Sequence, residues 1–255
     1  IGSIALLISI LLPSLAKARE QAKRTACASN VRQFCNTLIM IANEHKGRLM
    51  DVGNSDHSLD KEVDPPNTAT HSELQEIHQG ARDMLIKYGM PRKSFFCPSN
   101  LDVDTDYNWA RPDEYNFAVV GYMFFAGRTP LAGNKAELKA KGFQGLEEVP
   151  DDQMVLPAKV GQRSFYQVLV SDFTRTYANS FGAPDGKNAR SNHITAEQSD
   201  AGTGIMPRGK GGSNVGYIDG HVEWHNQNDM GQTSPSFQGK RQMYLQTGNV
   251  NRYYW

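Results

Sequence analysis

The sequence predicts an α+β chain in which a long N-terminal helix, residues 1–46, stands out from a β-rich head, residues 47–255. Three observations carry this expectation. An apolar run and then a helical apolar stripe occupy the first 46 residues. The 23 Gly and 12 Pro are concentrated after Gly47, where short apolar runs alternate with Gly, Pro, Asn and Asp clusters, a pattern of strands and long loops. The segment NVGYIDGHVEW, residues 214–224, alternates in the manner of two strands about an Asp-Gly turn.

With 255 residues, 39% of them hydrophobic, the chain can bury a core, which excludes a disordered protein. Lys plus Arg and Asp plus Glu number 27 each, so no global charge points to nucleic acid or an anionic surface.

The opening run, Ile1 to Leu12, is closed by Pro13. Crossing a bilayer takes about 20 apolar residues. The run alone is too short, so further apolar residues are expected upstream of it. Beyond Pro13, Cys27, Val31, Phe34, Leu38, Ile41 and His45 share one helical face, and Gly47 is a natural stop. One continuous helix over residues 1–46 would reach roughly 70 Å, far beyond an ordinary globular helix. Pro13 either kinks that rod or ends a membrane helix and starts a second one.

In the head, residues 72–88 read as a helix: Ser72 and Gln75 form a capping box, and Leu74, Ile77, Ala81, Leu85 and Tyr88 share a face. Gly89 and Pro91 then stop it. Residues 47–67 are polar and read as an extended connection. Strands are expected at 115–125 and 165–170, where β-branched and aromatic residues are dense. In the 214–224 hairpin, a two-residue type I′ turn at Asp219-Gly220 would place Tyr217 opposite Val222 and Val215 opposite Trp224.

Two clusters hold residues with ligand chemistry. Asp102, Asp104, Asp106 and Asn108 alternate, a spacing that turns oxygens toward one hard cation such as calcium. A calcium loop of that type has Gly at its sixth position, where this chain has Tyr107, and Asp113 rather than Glu at its twelfth. A solvated acidic loop therefore competes with the calcium reading. Asp172, His193, Asp219 and His221 are the right types for a metal site, but they lie in three segments. The plainer alternative leaves Asp219 in its turn, His221 across from Ile218, and His193 on loop backbone. There is no nucleophile elbow, no phosphate-cradling Gly loop and no distinct acid/base carboxylate pair, so the chain reads as a non-enzyme with no required cofactor.

Cys27, Cys35 and Cys97 allow at most one internal bridge. Cys27 and Cys35 sit about 12 Å apart along one helix, too far for a disulfide. Cys97 has either of them as a partner, and three buried thiols are the alternative.

The run ISILLPSLAKAREQAKRTACASNVRQ, residues 8–33 and including Pro13, resembles the N-terminal helix of bacterial type IV pilin-like proteins that carry a prepilin cleavage and methylation signal, notably those of planctomycete-type bacteria. Phe96-Cys97-Pro98-Ser99 resembles the FxCPS segment of that family. The GGSNVGYIDGHVEW stretch, with Asn214, Asp219, Gly220, His221 and Trp224, resembles its C-terminal element, a His followed after nine residues by Asp-Gly. Here Gly209 occupies the short-spacer His position, and Asn192-His193 is similar to longer-spacer variants. The resemblance implies a pilin-like fold with the helix packed on an antiparallel sheet. It favours a Cys27–Cys97 bridge, since both occupy family Cys positions.

The function so implied is a filament subunit at the cell surface, held in the inner membrane before assembly. Its partners would be copies of itself and a pilus or secretion assembly machinery. A minor pilin or secretion pseudopilin, and a membrane-anchored metal-binding or enzymatic head, are the alternatives.

Overall fold

The computed structural model describes residues 2–53, 74–111, 116–127, 158–162, 167–176, 190–193, 212–226, 243–245 and 252–254. The chain opens with α1, Gly2–Glu44, which runs unbroken through Pro13. The alternative of two successive helices is thereby set aside. At 1.5 Å per residue its 43 residues span ~65 Å. It stops two residues earlier than expected: Lys46 and Gly47 take positive φ, and the Gly47 amide donates back to the Ala42 carbonyl. No helix among the described residues is long and apolar enough to cross a membrane.

The other α-helices and strands among the described residues are β1 (Glu76–His78), α2 (Gln79–Lys87), α3 (Asp106–Trp109), β2 (Phe117–Val119), β3 (Tyr122–Phe124), β4 (Val168–Asp172), β5 (Thr174–Thr176), β6 (Arg190–Ser191), β7 (Gly212–Tyr217), β8 (Val222–Asn226), β9 (Met243–Leu245) and β10 (Arg252–Tyr254). They build an antiparallel sheet of order β3-β4-β7-β8, a second of order β6-β5-β10-β9, and the pair β1-β2. The fold class is therefore α+β.

The α1 stripe is the spine of the main core. Cys27, Val31, Phe34, Leu38 and Ile41 are fully buried, and His45 at the end of the stripe is half-buried. Phe34 meets the rings of Phe95 and Phe124 edge-on, with centroids 5.0 Å away in each case. Fully burying a side chain of this size contributes about 1.5–3 kcal/mol. The core thus straddles the expected boundary at residue 46, because α1 supplies part of it.

The four-stranded sheet sorts its residues by the two-residue period of a strand, interrupted in β4 by an irregularity between Val168 and Val170 that sends those two to opposite faces. Tyr122, Phe124 and Val170 join the core under α1. Met123, Phe125, Val168 and Val215 join a second cluster on the other face. By the same parity and pairing, Asp172, Asn214, Gly216 and Trp224 lie on the α1 face.

Sequence expectations differ from the structure in three elements. Residues 76–78 form a strand, Ile77 pairing with Ala118 and His78 with Phe117, so α2 begins only at Gln79. The cap is the His78 ring, whose Nδ1 accepts from the Gly80 amide at 3.1 Å; Ser72 lies outside the described residues. The expected 115–125 strand divides at Val120-Gly121, with Tyr115 outside the described residues. The strand expected at 165–170 is found as β4, with Phe165 and Tyr166 outside the described residues.

The third difference is the β7-β8 register. The observed pairs are Gly216 with Val222, Val215 with Glu223 and Asn214 with Trp224, so each expected pairing is displaced by one. Tyr217 closes the hairpin on His221, and the Gly220 amide returns to the Tyr217 carbonyl. Only Gly220 takes a positive φ, +84°, whereas a type I′ turn needs one at Asp219 as well. The connection is a three-residue loop, and the shift puts Asn214 and Trp224, rather than Val215, over the helix.

α1 lies close on β7. A Cβ at Gly216 would come within 2.5 Å of Cys35 Sγ and 2.6 Å of a Val31 methyl, both in the packed core. We expect Gly216→Ala to lower unfolding stability by about 1–3 kcal/mol through overpacking, read as a reduced urea midpoint. An unchanged midpoint would mean that α1 is not seated on β7.

Candidate functional site

The α1 stripe gives way to polar residues toward the N-terminus, and there the sheet face is polar too. Glu20 is the only acidic residue ahead of Glu44. It forms an i,i+4 pair with Arg24 at 3.3 Å, which leaves its carboxylate turned to the head. His193 stands between that carboxylate and the sheet: Nδ1 is 3.0 Å from Glu20 Oε1, and Nε2 is 3.0 Å from Asp172 Oδ2. Both His193 and Asp172 are fully buried.

Each flanking segment contributes. Asn214 donates its amide and its side-chain NH2 to Asp172 Oδ2, at 2.8 and 2.7 Å, and also donates to the Arg24 carbonyl at 3.3 Å. The Trp224 and His193 rings meet edge to face with centroids 5.4 Å apart, and the Arg24 guanidinium lies 4.3 Å from the Trp224 ring centroid. Ser99 Oγ donates to Glu20 Oε2 at 3.2 Å. The Asn192 amide donates to the Phe173 carbonyl, and its side chain donates to the Gly121 carbonyl at 2.6 Å, which fixes the segment carrying His193.

A Cys27–Cys97 disulfide lies beside this network, with Cα atoms 5.5 Å apart. It joins the helix to the segment before Ser99 and closes a span of 70 residues, a constraint on the unfolded chain worth about 4 kcal/mol on the loop-entropy model. Tyr122 lies beneath it, accepting a hydrogen bond from Asn30 at 3.0 Å and donating to Cys27 Sγ at 3.5 Å. Cys35 remains a buried thiol; burial, with Asp219 nearby, pushes it up to about 12.

Burial opposes a charge on His193, but the Asp172 and Glu20 carboxylates outweigh it and push the pKa from 6.5 up to about 9. Burial likewise opposes the Glu20 charge, and His193 and Arg24 reverse it, holding the carboxyl below its usual 4.5. The arrangement is a buried imidazolium clamped between two carboxylates, one on the helix and one on the sheet. In the disulfide-bonded form both ring nitrogens face partners, so this His presents no free lone pair to a substrate.

The expected residues separate into groups. Asp172 and His193 meet, whereas Asp219 and His221 lie at the hairpin tip, 2.5 Å from each other and exposed. His221 stacks on Tyr217 instead of facing Ile218, and His193 engages carboxylates instead of loop backbone. Pro13 is exposed on α1, away from this cluster. His193, Asn214 and Trp224 converge with Cys27, Cys97 and Ser99, while Gly220 and Asp219 belong to the turn.

The alternating acidic loop has its own cation. Arg92 donates to Asp104 Oδ1 from Nε and Nη2, at 3.2 and 2.9 Å, and to Asp106 Oδ1 from Nη1 at 2.7 Å. Asn108 donates to the Val103 carbonyl. A calcium ion on these oxygens would have to displace Arg92; the Asp102 side chain and Asp113 lie outside the described residues.

Glu20 was not singled out in the sequence, and Ser99 and Asn192 entered only through the segments that resemble the family. The available signal was Glu20 itself, a lone carboxylate among Lys17, Arg19, Lys23 and Arg24. Comparison with protein-family models, curated proteins and solved structures returned no match.

The His193 pair has a defined pH signature. A folded pKa above the unfolded value contributes stability that is complete below 6.5 and is lost as pH rises through about 9. We expect the urea-midpoint advantage of the disulfide-bonded wild type over His193→Gln to shrink across that window, from an initial difference of about 3–5 kcal/mol for a broken buried pair. On the acid side the depressed Glu20 pKa predicts a further loss below 4.5. A midpoint difference that stays constant from neutral to alkaline pH would refute the charged clamp.

Proposed function

We propose that this chain is a type IV pilin-like filament subunit that polymerises through the N-terminal part of α1. The observation that carries the reading is the division of one helix into two environments. From Cys27 to Ala42 its apolar face is buried in the head, whereas Ile4, Leu7, Ile8, Leu11, Leu12 and Leu15 are 48–62% exposed.

Burying those six side chains between copies would gain on the order of 10 kcal/mol at about 1.5–3 kcal/mol each, discounted for their partial exposure. Association costs about 4–15 kcal/mol. A two-chain contact that covers only part of this surface is therefore near break-even, while a bundle that surrounds each helix is not. Repeated head-to-tail contacts that do not close produce a helical fibre.

In this reading the second copy of the chain is the partner that covers the apolar segment, and the membrane holds it before assembly. The clasp and the disulfide keep the head fixed on its helix, so that helix packing sets head positions on the fibre surface. The resemblance of residues 8–33 to pilin N-terminal helices supports the same conclusion.

Leu11→Asp tests it. Leu11 is 61% exposed, so the head should keep its stability to within about 0.5 kcal/mol, while the chain disappears from the sedimentable fibres sheared from cells. Undiminished fibres in that variant would count against helix-driven assembly.

A further inference from the structure

The disulfide, His193 and Asp172 form a tighter group than a structural clasp needs. One sulfur each from Cys27 and Cys97, one ring nitrogen of His193 and one carboxylate oxygen of Asp172 all lie within 4.8 Å of one another, and all four residues are buried. We infer that, when Cys27 and Cys97 are thiols, these four side chains form a tetrahedral site for a divalent ion of zinc type, and that metal binding and disulfide formation exclude each other.

The donor set is the first argument: two thiolates, an imidazole and a carboxylate are the ligands of tetrahedral zinc. The second is the orientation of His193. Its Nδ1 faces Glu20 Oε1 at 3.0 Å, leaving Nε2 toward Asp172 and 3.6 Å from Cys97 Sγ. A carboxylate on the far nitrogen fixes the tautomer and ring plane of a ligating His. The third is Asp172. Its Oδ2 is anchored by Asn214, whereas the fully buried Oδ1 has no hydrogen-bond partner among the described residues. A buried carboxylate oxygen left unpaired is costly, and a cation held by the Asp172 carboxylate would offset that cost.

Zinc–sulfur bonds of about 2.3 Å in a tetrahedron set the sulfurs about 3.8 Å apart, so the bond between them must be absent. Binding releases the thiol protons of Cys27 and Cys97 and leaves Nε2 unprotonated. Oxidation by a disulfide RSSR forms the Cys27–Cys97 bond, breaks the RS–SR bond and expels the ion; two electrons pass from the thiolates to RSSR, and the two RS− so released take two protons from water to become RSH. Cys35, about 12 Å along the helix from Cys27, takes no part. This inference holds whether or not the chain polymerises.

The test uses the full chain, reduced with a phosphine and titrated with Co2+ and then Zn2+. The expected result is one tetrahedral cobalt site with thiolate charge-transfer absorption, displaced by Zn2+ and absent from the disulfide-bonded chain. Cys35→Ser should bind like wild type. Asp172→Asn should bind at least 10-fold more weakly, and Glu20→Gln about 10–100-fold more weakly. If reduction unfolds the chain, zinc-driven recovery of its circular dichroism supports the site, because metal and folding are coupled. A folded reduced chain without thiolate–cobalt absorption, a site unchanged in Cys27→Ser, or an unfolded chain that zinc does not restore would each overturn the inference.

Discussion

A protonated imidazole buried between a carboxylate on the helix and a carboxylate on the sheet is costly in isolation and stable only when every partner is present. Removing His193 would leave the buried Asp172 facing Glu20 with no cation between them; removing Asp172 would leave the Asn214 backbone amide without its acceptor. Buried pairs of this kind are weak evidence for net stability, but breaking one by removing a partner is strongly destabilising. The network joins α1, the Ser99 segment, the Asn192-His193 segment and the β4-β7-β8 sheet. The head therefore has one way to sit on its helix, and the Cys27–Cys97 bond holds the same place covalently.

Below that point on α1 the association is apolar and close. The Gly216 position admits the helix to van der Waals contact with β7, and Phe34 fills the space between Phe95 and Phe124. Above it the sheet ends and the helix continues with apolar side chains in solvent. Polar clasp, apolar seam and free apolar rod succeed one another along a single helix, and the proposed filament uses the last of the three.

The apolar stripe of α1 was legible because its helical period is sustained over about five turns, from Cys27 to His45, and the Cys27–Cys97 pairing followed from the family resemblance. Asp172 and His193 were recognisable as ligand types, but the fold alone selected them over Asp219 and His221. The hairpin was visible at Asp219-Gly220, yet its register was not: Asp-Gly serves a two-residue turn and a three-residue loop alike, and the difference of one residue decides which face Trp224 occupies. Residues 76–78 read as helix because Ile77 fits a helical stripe; pairing with β2, a partner distant in sequence, overrode it. The acidic loop matched a calcium spacing, while Arg92, ten residues before Asp102, supplied the cation. Glu20 was hidden because its function depends on a residue 173 positions away.

Whether the exposed segment of α1 is a polymer interface is decided by cryo-electron microscopy of fibres sheared from cells producing this chain, with mass spectrometry identifying the subunit. The expected result is a fibre core of close-packed helices that fits the first 15 or so residues of neighbouring chains, surrounded by heads each clasped to its own helix at Glu20 and Cys27. A fibre core built from the head sheets, or a chain that stays monomeric in cells without fibres, would contradict it.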